Sequence, residues 1–130
     1  MILNIINGMN KNIPYILLAN NDCISEMINI LKHEGYNIEI AQTSIEVIKK
    51  IQNNFIDVLI IDFELLGTYL YDILSIIKKI NPRLKIIIIS NNISLEIVKQ
   101  IRQIGIFYYS IKPLDFEEIK SAVKVALLKQ

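Results

Sequence analysis

The sequence predicts an α/β fold, a parallel sheet with helices on both faces, and three observations carry that prediction. Five short apolar runs alternate with five segments of helical period. The third run is continuous rather than alternating, as a parallel strand covered on both faces requires. The connections between runs are short, which is how successive β and α units wind into one doubly wound layer structure. No repeat, low-complexity tract or linker interrupts the chain after residue 14. The expected organisation is therefore one domain over residues 14–130, with residues 1–13 as a leader outside it.

Each element has its own local reason. Tyr15-Ile16-Leu17-Leu18-Ala19 reads as a buried strand. Ile24, Met27, Ile28 and Leu31 then fall at i, i+3, i+4 and i+7 of a helix that Gly35 stops. Asn37 to Ala41 alternates, with Ile38 and Ile40 on one side. Thr43 and Glu46 have capping-box spacing ahead of a stripe at Ile45, Ile48 and Ile51. Val58 to Ile61 is the third run, followed by a helix through Leu70, Ile73, Leu74 and Ile77 that ends at Asn81-Pro82. Ile86 to Ile89 is the fourth run, and Ile97, Val98, Ile101 and Ile104 form the next stripe, closed by Gly105. Ile106 to Ile111 is the fifth strand, and Asp115 with Glu118 caps a last helix carrying Ile119, Ala122, Val123, Ala126 and Leu127.

Composition excludes several classes of function. Hydrophobic residues make up 52% and charged residues 21% of the 130, enough to bury a core. Lys+Arg is 14 against Asp+Glu 13, and the basic residues form no run, so the chain alone has no electrostatic footprint for nucleic acid or an anionic membrane. Cys23 is the single cysteine, with no base or cation beside it, and reads as an inert thiol in a reducing compartment. The apolar start is broken by Asn4 and Asn7, too short and too polar for a signal peptide or a membrane span, so a cytoplasmic location is expected. His33, between Lys32 and Glu34, reads as a solvated surface histidine.

In doubly wound sheets ligands bind beyond the carboxyl ends of the strands. The residues there are Asn20 and Asn21, Asp62, Ser90, and Lys112-Pro113. Each has an ordinary role when taken alone: a turn-capping carboxylate, a strand-end hydroxyl, a solvated lysine before a helix-entry proline. Together they supply a nucleophilic carboxylate, a donor hydroxyl and a cation for phosphoryl oxygens, which is the set aspartyl-phosphate chemistry needs.

Asp57-Val58-Leu59-Ile60-Ile61-Asp62, Ile86-Ile87-Ile88-Ile89-Ser90, and Gly105 through Tyr109 to Lys112-Pro113 resemble the three signature segments of the receiver domains of bacterial two-component signalling. Gly35-Tyr36-Asn37-Ile38 and Ala41 fit the family's second strand, so the resemblance spans roughly residues 14–129. It implies a flavodoxin-like (βα)5 fold of strand order 2-1-3-4-5. It further implies a phosphoacceptor at Asp62, catalytic support from Ser90 and Lys112, a switch pair at Ser90 and Tyr109, and a Lys-Pro bond that is usually cis. A partner histidine kinase or phosphotransfer protein is implied too. Dimer or output contacts would use the face made by the fourth helix, fifth strand and fifth helix, where Phe107, Tyr108 and Tyr109 supply aromatic density.

The chain departs from the family at defined places. Asn20-Asn21 stands where an acidic pair holds Mg²⁺, and Asp22 comes one position too late. Glu64 is unusually acidic for the second position after the phosphoacceptor, Leu65-Leu66-Gly67 lacks the usual proline, and Asn91 replaces a small residue after Ser90. A complete pocket of three carboxylates and one lysine carries net charge −2, whereas Asp62 and Lys112 sum to zero. At an effective dielectric of about 20, one charge at ~4 Å is worth roughly 4 kcal/mol before desolvation. Even about a quarter of that per missing carboxylate would cost more than about tenfold in Mg²⁺ affinity. The expected function is a degenerate receiver that acts through protein contacts, not an enzyme beyond self-phosphorylation and self-dephosphorylation at Asp62. Mg²⁺ would bind weakly or not at all, with Asp62 and Glu64 as the remaining ligands. The alternative is an active receiver phosphorylated on Asp62, with Glu64 replacing part of the metal site. A flavodoxin-like cofactor binder would need a glycine-containing phosphate loop after the first strand, and Asn20 to Ser25 contains no glycine.

Overall fold

A computed structural model describes residues 13–20 and 25–129. Residues 1–12, 21–24 and 130 lie outside the described residues, and with them the leader apart from Ile13, and the expectations for Asn21, Asp22, Cys23 and Ile24. The strands are β1 (Tyr15–Ala19), β2 (Asn37–Ala41), β3 (Val58–Asp62), β4 (Lys85–Ser90) and β5 (Tyr108–Ile111). The main helices are α1 (Ser25–His33), α2 (Ser44–Asn53), α3 (Leu70–Ile80), α4 (Leu95–Ile104) and α5 (Phe116–Leu128). All strand pairs are parallel and the sheet order is β2-β1-β3-β4-β5, as expected.

Strand alternation divides the core in two. Leu17, Leu59, Ile61, Ile86 and Ile88 face Val47, Ile51, Leu70, Leu74, Ile77 and Ile101 of α2, α3 and α4. Ile16, Leu18, Val58, Ile60, Ile87 and Ile89 face Met27, Leu31, Ile119, Val123 and Ala126 of α1 and α5. Both faces of the central strands are thus closed to water, so polar side chains are confined to the strand ends.

The helix termini follow the local rules. Thr43 accepts from the Glu46 amide, and Asp115 accepts from the amides of Glu117 and Glu118. Gly105 ends α4 at φ 110°, a left-handed conformation that a β-carbon would strain. Two expectations need correction. Ile45 is exposed, and α2 instead buries Val47 and Ile51, an i, i+4 pair whose phase is set from the Thr43 cap. β5 begins at Tyr108 rather than Ile106, because pairing with β4 starts at Ile87↔Tyr108 and only the Phe107 amide, bonded to the Ile86 carbonyl, reaches further back. A one-turn helix, Phe63–Leu66, and a 3-10 turn, Gly67–Tyr69, intervene before α3.

Two isoleucines of the sheet should separate burial from residue type. Ile60 is fully buried in the central strand, whereas Ile40 on edge strand β2 is 39% exposed. Ile60→Ala should cost about 2–5 kcal/mol in urea unfolding, and Ile40→Ala no more than about 1 kcal/mol. Equal losses would contradict the assigned layers.

Candidate functional site

The register explains why the site residues meet. Ala19 pairs with Ile61, so Asn20 emerges level with Asp62 at the end of β3. Ser90 pairs with Ile111, so Lys112 emerges one step beyond Ser90, and its amide donates to the Ser90 carbonyl at 2.7 Å. Asn20, Asp62 and Ser90 are all buried, an unusual concentration of polar side chains at one end of an apolar sheet.

Asp62 is the centre of this crevice, at 4% exposure. Its Oδ2 accepts from Lys112 Nζ at 2.6 Å and from the Asn20 amide at 3.4 Å. Its Oδ1 accepts from the Glu64 backbone amide at 3.0 Å, capping the one-turn helix that follows. The turn-capping role and the strand-end role therefore coexist on two oxygens of one carboxylate. A buried carboxylate is tolerated when paired and hydrogen-bonded, and both conditions are met here. The Lys112-Pro113 bond is cis, as the resemblance implied.

Ser90 and Tyr109 meet as well. The Ser90 hydroxyl donates to the Asn91 carbonyl at 2.6 Å and lies 2.7 Å from the Tyr109 hydroxyl, which is 3.4 Å from the same carbonyl. A hydroxyl has one hydrogen. Both hydroxyls reach the Asn91 carbonyl, so either one can be the donor in the short contact between them. Asn91 also donates its side-chain amide to Glu64 Oε1 at 3.2 Å. The sequence marked Asn91 for its size alone; its pairing with Glu64 joins two loops 27 positions apart, and no spacing rule reveals that.

Among the described residues no group of three or more His, Cys, Asp or Glu is placed to hold a metal. Asp62 is already engaged by an ammonium and an amide on one oxygen, and Glu64 is turned to Asn91. Mg²⁺ prefers carboxylates and water in octahedral geometry, and the described residues do not fit it. At the opposite end of β3, burial holds the Asp57 carboxyl above the usual carboxylate range, partly offset by the Tyr15 amide that it accepts at 2.9 Å. His33 is exposed, as expected. No helix among the described residues is long and apolar enough to cross a membrane.

Removing one partner of the Asp62–Lys112 pair should expose its energetics. A fully buried pair broken on one side costs about 3–5 kcal/mol. The Lys112 side chain is 29% exposed, so Lys112→Met should cost less, about 1–3 kcal/mol in urea at neutral pH. Asp62→Asn combined with Lys112→Met should recover most of it. A neutral single variant, or a double variant no better than the single, would mean that the pair does not govern the crevice.

Comparison with known proteins points one way. The sequence model described as response regulator receiver domain matches residues 16–124. A putative response regulator NtrX-like protein of Rickettsia bellii is 31% identical over 107 residues, covering 78% of this chain and 22% of its own length. The transcriptional regulatory protein ZraR of Escherichia coli K12 is 26% identical over 98 residues, 75% of this chain. This chain thus spans about a fifth of the length of these relatives (22%). The crystal structure of a CheY-like response regulator receiver domain protein from Methanospirillum hungatei superposes with a TM-score of 0.83 at 28% identity, over 90% of this chain and 95% of that one.

Proposed function

This chain belongs to the response regulator receiver family, and on that premise we propose that it is a degenerate receiver, signalling by protein contact with little or no Mg²⁺-dependent phosphorylation. The observation that carries the reading is the pairing at 2.6 Å of Asp62, the one buried carboxylate among the described residues, with Lys112. In a receiver pocket the lysine neutralises phosphoryl oxygens and the metal neutralises the surplus carboxylates. With Asn20 in place of an acid, Lys112 already balances Asp62, and little excess negative charge is left to attract a dication.

Asp62 keeps the phosphoacceptor position, Lys112 the cation, and Ser90 with Tyr109 the switch. Among the described residues Glu64 is the further carboxylate proposed as a metal ligand, and Asp22 is the alternative from the sequence. The fifth strand is a sheet edge, and the aromatic residues beside it favour the α4–β5–α5 face for a protein partner or a second copy. The domain would occupy residues 14–130 and act in the cytoplasm, with no enzymatic activity beyond phosphorylation chemistry at Asp62. The intact Asp62, Ser90, Tyr109 and Lys112 set favours one alternative, an active receiver phosphorylated by a partner histidine kinase.

Metal titration separates the two. Asn20→Asp with Asn21→Asp restores the net charge of −2, and Mg²⁺ affinity measured by calorimetry should rise at least about tenfold over the natural chain. If the natural chain already binds Mg²⁺ as tightly as the double variant, the active-receiver reading replaces the degenerate one.

A further inference from the structure

On the outer face of α3, an acidic, an apolar and a basic side chain follow one another in a single stripe. Asp72, Ile76 and Lys79 fall at i, i+4 and i+7, so they share one side of the helix. All three are exposed, Ile76 at 44%. Asp72 and Lys79 stand about 10.5 Å apart along the helix axis, too far to bridge each other, and neither forms an ion pair among the described residues. Two neighbouring charges are already engaged. Lys78 Nζ donates to the carbonyls of Pro82 and Leu84, both at 3.2 Å, and Glu96 accepts from Gln100 at 3.4 Å. Beside the stripe, Tyr71, Ser75, Gln100, Gln103 and Ile104 line a groove of about 470 Å³ between α3 and α4, with no charged side chain among them.

We propose that this stripe is a homodimer interface, in which α3 of one chain lies antiparallel to α3 of a second copy. A two-fold axis at Ser75 and Ile76 turns the order acid, apolar, base into base, apolar, acid. Asp72 then meets the second copy's Lys79, Lys79 meets the second copy's Asp72, and the two Ile76 side chains close on each other between them. An isologous interface requires a self-complementary patch, and the stripe supplies one. A parallel arrangement would set Asp72 against Asp72 and Lys79 against Lys79, so the charges fix the orientation. The uncharged groove alongside adds no repulsion of its own. Two exposed ion pairs and one apolar contact make a weak, salt-sensitive dimer rather than a permanent one. The stripe lies apart from the α4–β5–α5 face, which stays free for another partner, and the dimer needs no phosphoryl group on Asp62.

Sedimentation equilibrium of the natural chain at low salt should give a Kd between about 10 µM and 1 mM. The Kd should rise at least about threefold at about 0.5 M salt, because screening shortens the reach of exposed charges. Asp72→Lys and Lys79→Asp should each weaken self-association at least about tenfold, since each sets like charges opposite one another. Mixed in equal amounts, the two variants present opposite charges at both contacts and should associate within about threefold of the natural chain. If a reversal fails to fold, Asp72→Asn and Lys79→Gln carry the test, each weakening the dimer at least about threefold. A natural chain that stays monomeric at about 1 mM overturns the inference. So do single variants that dimerise like the natural chain, or a mixture no tighter than its components. Tyr108 on β5 is 37% exposed, and a dimer lost in Tyr108→Ala but kept in both reversals would put the second copy on that edge instead, which also overturns it.

Discussion

A parallel sheet covered on both faces leaves polar chemistry only one kind of place to go. Every residue from Ile16 to Ala19, Val58 to Ile61 and Ile86 to Ile89 is buried in one of the two apolar layers. An ionisable group anywhere along those runs would be stranded between helices. Asp62 and Ser90 fall at the first positions where each strand escapes that cover, and the crossover order brings β1, β3, β4 and β5 out at the same end. The crevice is thus a consequence of layer packing, and its geometry is inherited from strand register rather than from loop conformation.

What occupies the crevice is an electrostatic balance. Asp62 stays buried because Lys112 and two amides satisfy it, and the pair sums to zero. An amide in place of an acid at position 20 changes the sign of the problem. Extra carboxylates would repel one another in the absence of a cation, whereas the Asn20 amide donates to Asp62 and needs none. On the proposed reading, the same replacement that suits the metal-free crevice also lowers its attraction for metal.

Periodicity made the architecture legible, because strand runs and helix stripes are local signals. The strand-end positions of Asn20, Asp62, Ser90 and Lys112 followed from those runs, and the structure brings Asp62, Asn20 and Lys112 into direct contact. Other features were not local. Ile45 fits an apolar stripe by spacing, yet the phase of α2 turns Val47 inward instead. The helical turn after Asp62 is nucleated by the side chain of Asp62 itself, which a reader of apolar periodicity passes over. Ser110 is buried against Glu118 of α5 at 2.6 Å, and the Asn91–Glu64 link crosses two loops. Contacts of that kind depend on where two separate elements end, so they become visible only in three dimensions.

The central claim, that a neutral Asp62–Lys112 crevice has little hold on a dication, is tested most directly on the natural chain by its thermal stability with and without Mg²⁺. A ligand at about 100 times its dissociation constant stabilises the folded state by about 2.7 kcal/mol, which raises Tm by about 5 °C or more in a domain of this size. At about 10 mM Mg²⁺ against chelator, this account predicts a Tm difference below about 1 °C. A rise of about 5 °C or more would contradict it, because the crevice would then hold a metal that its charge balance gives it no reason to bind.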